Sequence, residues 1–206
     1  MEPTQPVPLD ASNATSAGVP RSRPLSEVPE LADVAARLLR TPGATLDIDD
    51  ADARFIVSQM RLVYLARGAA LVRQGDKTHT NYMLLIISGE VAVDTAEAGQ
   101  PDAVAISVLG PGNLVGEMGM LDGLARSASC TAATAVQAAS LSRNGLQRLI
   151  EQRPAVAAKL MAGISKRMAE RLRALGEQLQ IYAQIVAAQQ AEIDKLKAPR
   201  VLGAKL

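Results

Sequence analysis

Between Gly110 and Cys130 the chain reads Gly-Pro-Gly-Asn-Leu-Val-Gly-Glu-Met-Gly-Met-Leu-Asp-Gly-Leu-Ala-Arg-Ser-Ala-Ser-Cys. The opening Gly110-Pro111-Gly112-Asn113 offers glycine for positive φ and proline for a tight turn. Gly116-Glu117 follows, and nine residues after the glutamate stands Arg126, then Ser127, Ala128 and Ser129. An arginine in a β-rich protein is ordinarily a solvated surface residue, and a Gly-Glu pair alone carries no information. Held at this separation inside a glycine-punctuated run, the two carry far more.

Outward from this run, residues 61–142 fall into short β-favouring segments: Leu62 to Ala66, Ala70 to Arg73, Tyr82 to Ile87, Val91 to Thr95, Ala103 to Val108 and Cys130 to Leu141. Arg67-Gly68, Gln74-Gly75-Asp76, Ser88-Gly89-Glu90 and Ala98-Gly99-Gln100 separate them. Many short strands predict a closed or double-sheet β fold.

The flanks differ in texture. Residues 1–30, rich in Pro, Ser, Thr, Ala and Asn, predict a disordered tail, because ordering them costs more entropy than burial returns. Residues 31–60 predict two helices: Leu31 to Arg40, ended by Thr41-Pro42-Gly43, and Asp49 to Met60, with Asp49 and Asp50 at its start. Residues 143–197 are helical again, with Pro154 separating a short helix, Asn144 to Gln152, from a long one. Met161, Met168, Leu172, Leu175, Leu179, Tyr182, Val186, Ile193 and Leu196 recur along the long helix at three- and four-residue steps, a coiled-coil seam interrupted by Gln189. Residues 198–206 form a short tail.

Gly116-Glu117 with Arg126-Ser127-Ala128-Ser129 resembles the phosphate-binding cassette of the cyclic-nucleotide-binding domain family, and the glycine-punctuated strands upstream extend the likeness over roughly Arg61 to Arg173. The resemblance implies a mainly β fold with added helices: a jelly-roll-like double-stranded β-helix barrel over 61–142, N-terminal helices and a long C-terminal dimerisation helix. It also implies a ligand, cAMP or cGMP. A guanidinium can meet the oxygens of a cyclic phosphodiester through charge-assisted hydrogen bonds, and a carboxylate can accept from a ribose hydroxyl. By resemblance, Arg126 and the Ser127 amide face phosphate, Glu117 and the Gly116 amide face ribose, and Met118 with Ile106, Ser107 and Leu109 lines the pocket. Two positions depart from the usual pattern, Ala125 before the arginine and Val115 before Gly116. In the catabolite-activator-like branch a Thr-Ser pair on the long helix reaches the base; Leu175 and Gly176 stand there in this chain. Ser127 is compatible with either base.

Composition narrows the function. Lys plus Arg exceed Asp plus Glu by only 22 to 21, so the strong positive field of a nucleic-acid binder is missing, and the ten or so residues after the long helix leave no room for a helix-turn-helix. Direct DNA binding is therefore not expected. His79 is the single histidine and Cys130 the single cysteine, which leaves no His cluster for a metal and no internal disulfide. Nucleophile, base and orienting group do not cluster in any motif, so no enzymatic activity is expected. Without a signal peptide or a long apolar run, a cytoplasmic protein off the membrane is expected. The expected function is a homodimeric sensor that reports nucleotide binding to a protein effector. The alternatives are a ligand-free dimeric scaffold with a degenerate pocket, or a cyclic di-GMP receptor.

Overall fold

A computed structural model describes residues 22–40, 47–94 and 105–197. The expected turns at Thr41-Pro42-Gly43 and Ala98-Gly99-Gln100, the tail up to residue 21 and the tail 198–206 lie outside the described residues.

Strand β4 (Tyr82–Ser88) shows how the layers are built. Met83 through Ile87 are all buried, an unbroken apolar run, because both of its faces are covered. Met83, Leu85 and Ile87 enter one core with the helices, while Leu84 and Ile86 enter a second core between two sheets. β9 (Val136–Ser142) repeats the division, with Ala139 and Leu141 on the helical side and Val136 and Ala138 between the sheets. A one-residue slip of register would exchange the two sets.

The first sheet has the order β1-β2-β9-β4-β7, with β1 (Arg23–Pro24), β2 (Arg61–Leu65) and β7 (Leu114–Val115). The second has the order β3-β8-β5-β6, with β3 (Ala70–Val72), β5 (Val91–Asp94), β6 (Ala105–Leu109) and β8 (Ser129–Ala132). The expected jelly-roll-like cyclic-nucleotide-binding fold is present, but as two facing antiparallel sheets and not as a closed barrel. The reason is topological: from β2 onward nearly every connection carries the chain from one sheet to the other, and among the described residues no ladder joins their edges. The run expected as one strand from Cys130 to Leu141 is likewise two strands, one in each sheet, broken at Ala133–Ala135 where Ala133 N–H and Thr134 N–H both donate to Glu90 O.

Helices α1 (Pro29–Leu39) and α2 (Asp50–Ser58) pack on the outer face of the first sheet, and the Asp49 carboxylate caps α2 by accepting from Asp52 N–H at 2.7 Å. The expected tail over 1–30 is corrected at its end. Arg23–Pro24 pairs with β2, Leu25 N–H donates to Met60 O at 3.0 Å, and the Leu25 side chain is fully buried. One leucine at a sheet edge supplies the burial that the surrounding Pro-Ser composition conceals.

Helix α4 (Arg143–Gln152) leads into α5 (Pro154–Lys197). Val156, Ala157, Leu160 and Ile164 of α5 are core residues, with Met161 and Met168 packed against them. Those two methionines, expected in the seam, belong to the body. Beyond them, every described side chain from Glu170 to Lys195 is exposed. The 26 residues from Leu172 to Lys197 extend about 39 Å at ~1.5 Å per residue.

Leu25→Ala is expected to lower unfolding stability by about 2–5 kcal/mol, the usual cost of truncating a fully buried leucine. Urea denaturation followed by circular dichroism measures it; a change near zero would return Leu25 to the tail.

Candidate ligand-binding site

The turn Gly110–Asn113 returns the chain from β6 to β7, and Gly116 then bends it into the short helix α3 (Glu117–Asp122). Gly116 has φ of 80°, and a Cβ built there would lie 2.5 Å from Arg126 Nη1. Glycine is thus required twice, by backbone conformation and by the arginine's approach.

Arg126 is held by backbone on every side. Its N–H donates to Asp76 O at 3.0 Å and its carbonyl accepts from Gly75 N–H at 2.9 Å. Its guanidinium donates from Nε and Nη2 to His79 O (3.1 and 2.6 Å), from Nη2 to Tyr82 O (2.9 Å) and from Nη1 to Gly116 O (2.5 Å). The Tyr82 ring lies beneath it, 4.8 Å from centroid to Cζ. Arg126 is 3% exposed, and no described carboxylate forms an ion pair with it. The turn supplying these carbonyls is itself braced by Asp76, whose carboxylate accepts from Thr78 Oγ1 and Thr78 N–H, both at 2.7 Å. Those bonds, with His79 beside them, hold the Asp76 carboxyl well below the ordinary carboxylate range.

Glu117, 7% exposed, faces Arg171 of α5 across 3.6 Å. A cavity of about 40 Å³ lies between Gly116, Glu117, Arg126, Ser127, Cys130 and Arg171. A second space of about 240 Å³ opens along α5. Glu117 and Arg171, with Leu109 and Leu114, line both, so the ion pair stands on their shared wall. Burial pushes the Cys130 thiol up to about 11, which makes it a wall residue and not a nucleophile. Among the described residues no group of His, Cys, Asp and Glu side chains gathers as a metal site.

Of the sequence-predicted site residues, Gly116, Glu117, Met118, Arg126, Ser127 and Leu109 meet at the small cavity. The Ser127 hydroxyl is 3.7 Å from the Met118 sulfur, and Met118 is partly exposed at the rim. Ser107 is half-buried on β6 and does not line the cavity, and the Ile106 side chain lies outside the described residues. Leu175 and Gly176 do not reach the site within this chain. Leu175 is 45% exposed and Gly176 has open space around it, because four residues carry α5 about 6 Å past Arg171. Sequence reasoning missed Arg171, whose only signal was an arginine on the helix beside the seam. It also missed the carbonyls of His79 and Tyr82, which leave no trace in side-chain identity.

Residues 62–153 match the family model of the cyclic nucleotide-binding domain. A crystal structure of a cyclic nucleotide-binding domain from Methylobacillus flagellatus superposes with a TM-score of 0.67 and 27% identity, covering 74% of this chain and 84% of that one. The CRP-like cAMP-activated global transcriptional regulator of Mycobacterium tuberculosis is 26% identical over 132 residues, 64% of this chain and 57% of the relative. The cyclic AMP receptor protein of Thermus thermophilus is 35% identical over 104 residues, 50% of this chain and 47% of the relative. The chain thus spans about half the length of the curated relatives it matches. No described helix is long and apolar enough to cross a membrane.

Gly116→Ala is expected to displace the Arg126 side chain and destabilise the fold by about 1–3 kcal/mol, the range for a residue forced into an unfavourable backbone region; thermal unfolding without ligand measures it. Cys130 is expected to resist iodoacetamide in the folded protein at neutral pH and to react fully in denaturant. Rapid labelling of the native protein would show that β8 opens.

Proposed function

We propose that this chain is a non-catalytic cyclic nucleotide sensor, binding cAMP or cGMP, that dimerises through the distal half of α5 and passes the bound state to a partner protein. The observation that carries this reading is the buried Arg126 guanidinium, met by carbonyls and an aromatic ring but by no carboxylate among the described residues. A buried cation without a counter-charge is costly, and the cyclic phosphate of a nucleotide supplies one negative charge at that position. Four of the five guanidinium N–H groups are engaged. Bidentate contact with phosphate therefore draws at least one donor away from a carbonyl, which loosens the 76–82 turn or Gly116 as ligand enters.

The ribose completes the route to the helix. A cavity of about 40 Å³ holds little more than a water molecule, while small-molecule sites occupy roughly 300–1,000 Å³. A nucleotide must join this space to the larger one beside it, and the Glu117–Arg171 pair lies on the wall between them. A ribose hydroxyl donating to Glu117 competes with Arg171, so occupancy is felt on α5. The apolar seam from Leu172 to Ile193 is exposed in the single chain, and a second copy covers it. In such a dimer Leu175 and Gly176 of one chain are the positions that could reach the other chain's base.

The small cavity and the carbonyl-satisfied arginine also favour the alternative, a dimeric scaffold with no ligand. Calorimetric titration with cAMP, cGMP and cyclic di-GMP separates them. The sensor reading expects saturable binding of a cyclic mononucleotide, weakened about 10- to 150-fold in Arg126→Ala by loss of charge-assisted hydrogen bonds. Binding of cyclic di-GMP alone would replace the ligand class, and no heat from any ligand with a folded dimer would establish the scaffold.

A further inference from the structure

The space of about 240 Å³ beside the small cavity holds four charged side chains, Glu117, Arg167, Glu170 and Arg171, with Asn113 the remaining polar residue on an otherwise apolar lining. Arg167 and Arg171 stand four residues apart on α5 and so share a face of the helix. Their partners are unequal. Glu170 is engaged by Lys166 at 3.5 Å and Arg171 by Glu117 at 3.6 Å. Arg167 is half-buried, donates from Nη1 to Gly112 O, and forms no ion pair with a described carboxylate. Asn113 donates from Nδ2 to Gly110 O at 3.0 Å and keeps Oδ1 as an acceptor.

In the site proposed above, phosphate meets Arg126 in the small cavity and ribose meets Glu117 on the shared wall. The base is bonded to the ribose and enters the larger space, into which the ribose hydroxyl also releases Arg171. Two guanidinium groups then face the base. Glu117 is committed to ribose and Glu170 to Lys166, so donors outnumber acceptors around it.

The two purines answer that surplus differently. Guanine carries two adjacent acceptors, O6 and N7, which an arginine meets as a bidentate pair; adenine carries N7 beside its N6 amino group, a donor. Guanine gives Arg171 a partner in place of the one that ribose took from it. Adenine sets donor against donor and leaves a partly desolvated guanidinium short of an acceptor.

We propose that Arg171 reads the O6–N7 edge of a guanine base in the space along α5, so that this chain prefers cGMP to cAMP. This inference rests on the proposed nucleotide site, and one titration separates the two. Calorimetry of the full chain with cGMP, cAMP and cyclic inosine monophosphate, which keeps O6 and N7 but lacks the 2-amino group, is the measurement. The expected result is cGMP bound about 5- to 150-fold tighter than cAMP, the range for one bidentate arginine–base pair, with the inosine nucleotide following cGMP. Arg171→Met is expected to bring the cGMP and cAMP affinities together. Phosphate and ribose are common to both ligands, so a variant that only disturbs the pocket or frees Glu117 changes both affinities alike; an unchanged ratio would overturn the role of Arg171. Wild-type protein that binds cAMP as tightly as cGMP would overturn the guanine preference and leave the sensor standing. An inosine nucleotide as weak as cAMP would overturn the O6–N7 reading, and no binding of any of the three would overturn the sensor and this inference together.

Discussion

Burying a guanidinium costs several kcal/mol unless hydrogen bonds and opposite charge meet it. Arg126 is met by backbone oxygens, and each of them constrains the sequence around it. The carbonyls of His79 and Tyr82 must point inward, so the 76–82 turn needs its own brace, which the Asp76 carboxylate provides through Thr78. The carbonyl of Gly116 must approach Nη1, which excludes a Cβ at that residue. The backbone of Arg126 is in turn clamped to Gly75 and Asp76. Segments 75–82, 116–117 and 126–127, far apart in sequence, are thereby locked together around one side chain.

The layers decide what that lock can move. The central strands β4 and β9 of the first sheet are buried on both faces, so they have no freedom to shift without disturbing two cores. The elements touching the site from outside the sheets are α3 and α5, and α5 reaches the small cavity through Arg171. Its N-terminal half is anchored in the helical core up to Met168, and the rest leaves the body. A change at Glu117 therefore acts on the helix at the point where it passes from anchored to free, where displacement meets least resistance from packing.

What was legible in the sequence was what is written in contiguous residues. Gly116, Glu117, Arg126 and Ser127 fall within one continuous run, so the resemblance of that run to a phosphate-binding cassette was enough to group them, and they line one cavity. The strands of 61–94 were legible because glycine marks their turns; Ala133-Thr134-Ala135 carries no such mark, and the break between β8 and β9 went unseen. Leu25 was hidden because composition averages over a window and one buried leucine does not alter the average. Arg171 was hidden because its partner lies 54 positions earlier and an arginine on a helix reads as solvated. The double burial of β4 required knowing that helices cover the outer face, which periodicity in the strand cannot say.

Arg171 stands where the proposed site meets the free part of the helix. Within the chain its guanidinium faces Glu117 across 3.6 Å, and at the next residue, Leu172, the exposed apolar seam of α5 begins. In the proposed sensor, a ribose hydroxyl that takes over Glu117 releases Arg171 at the base of the segment that a second copy covers, and a second copy that draws Arg171 outward leaves Glu117 open to the nucleotide. Binding free energies linked in this way are reciprocal.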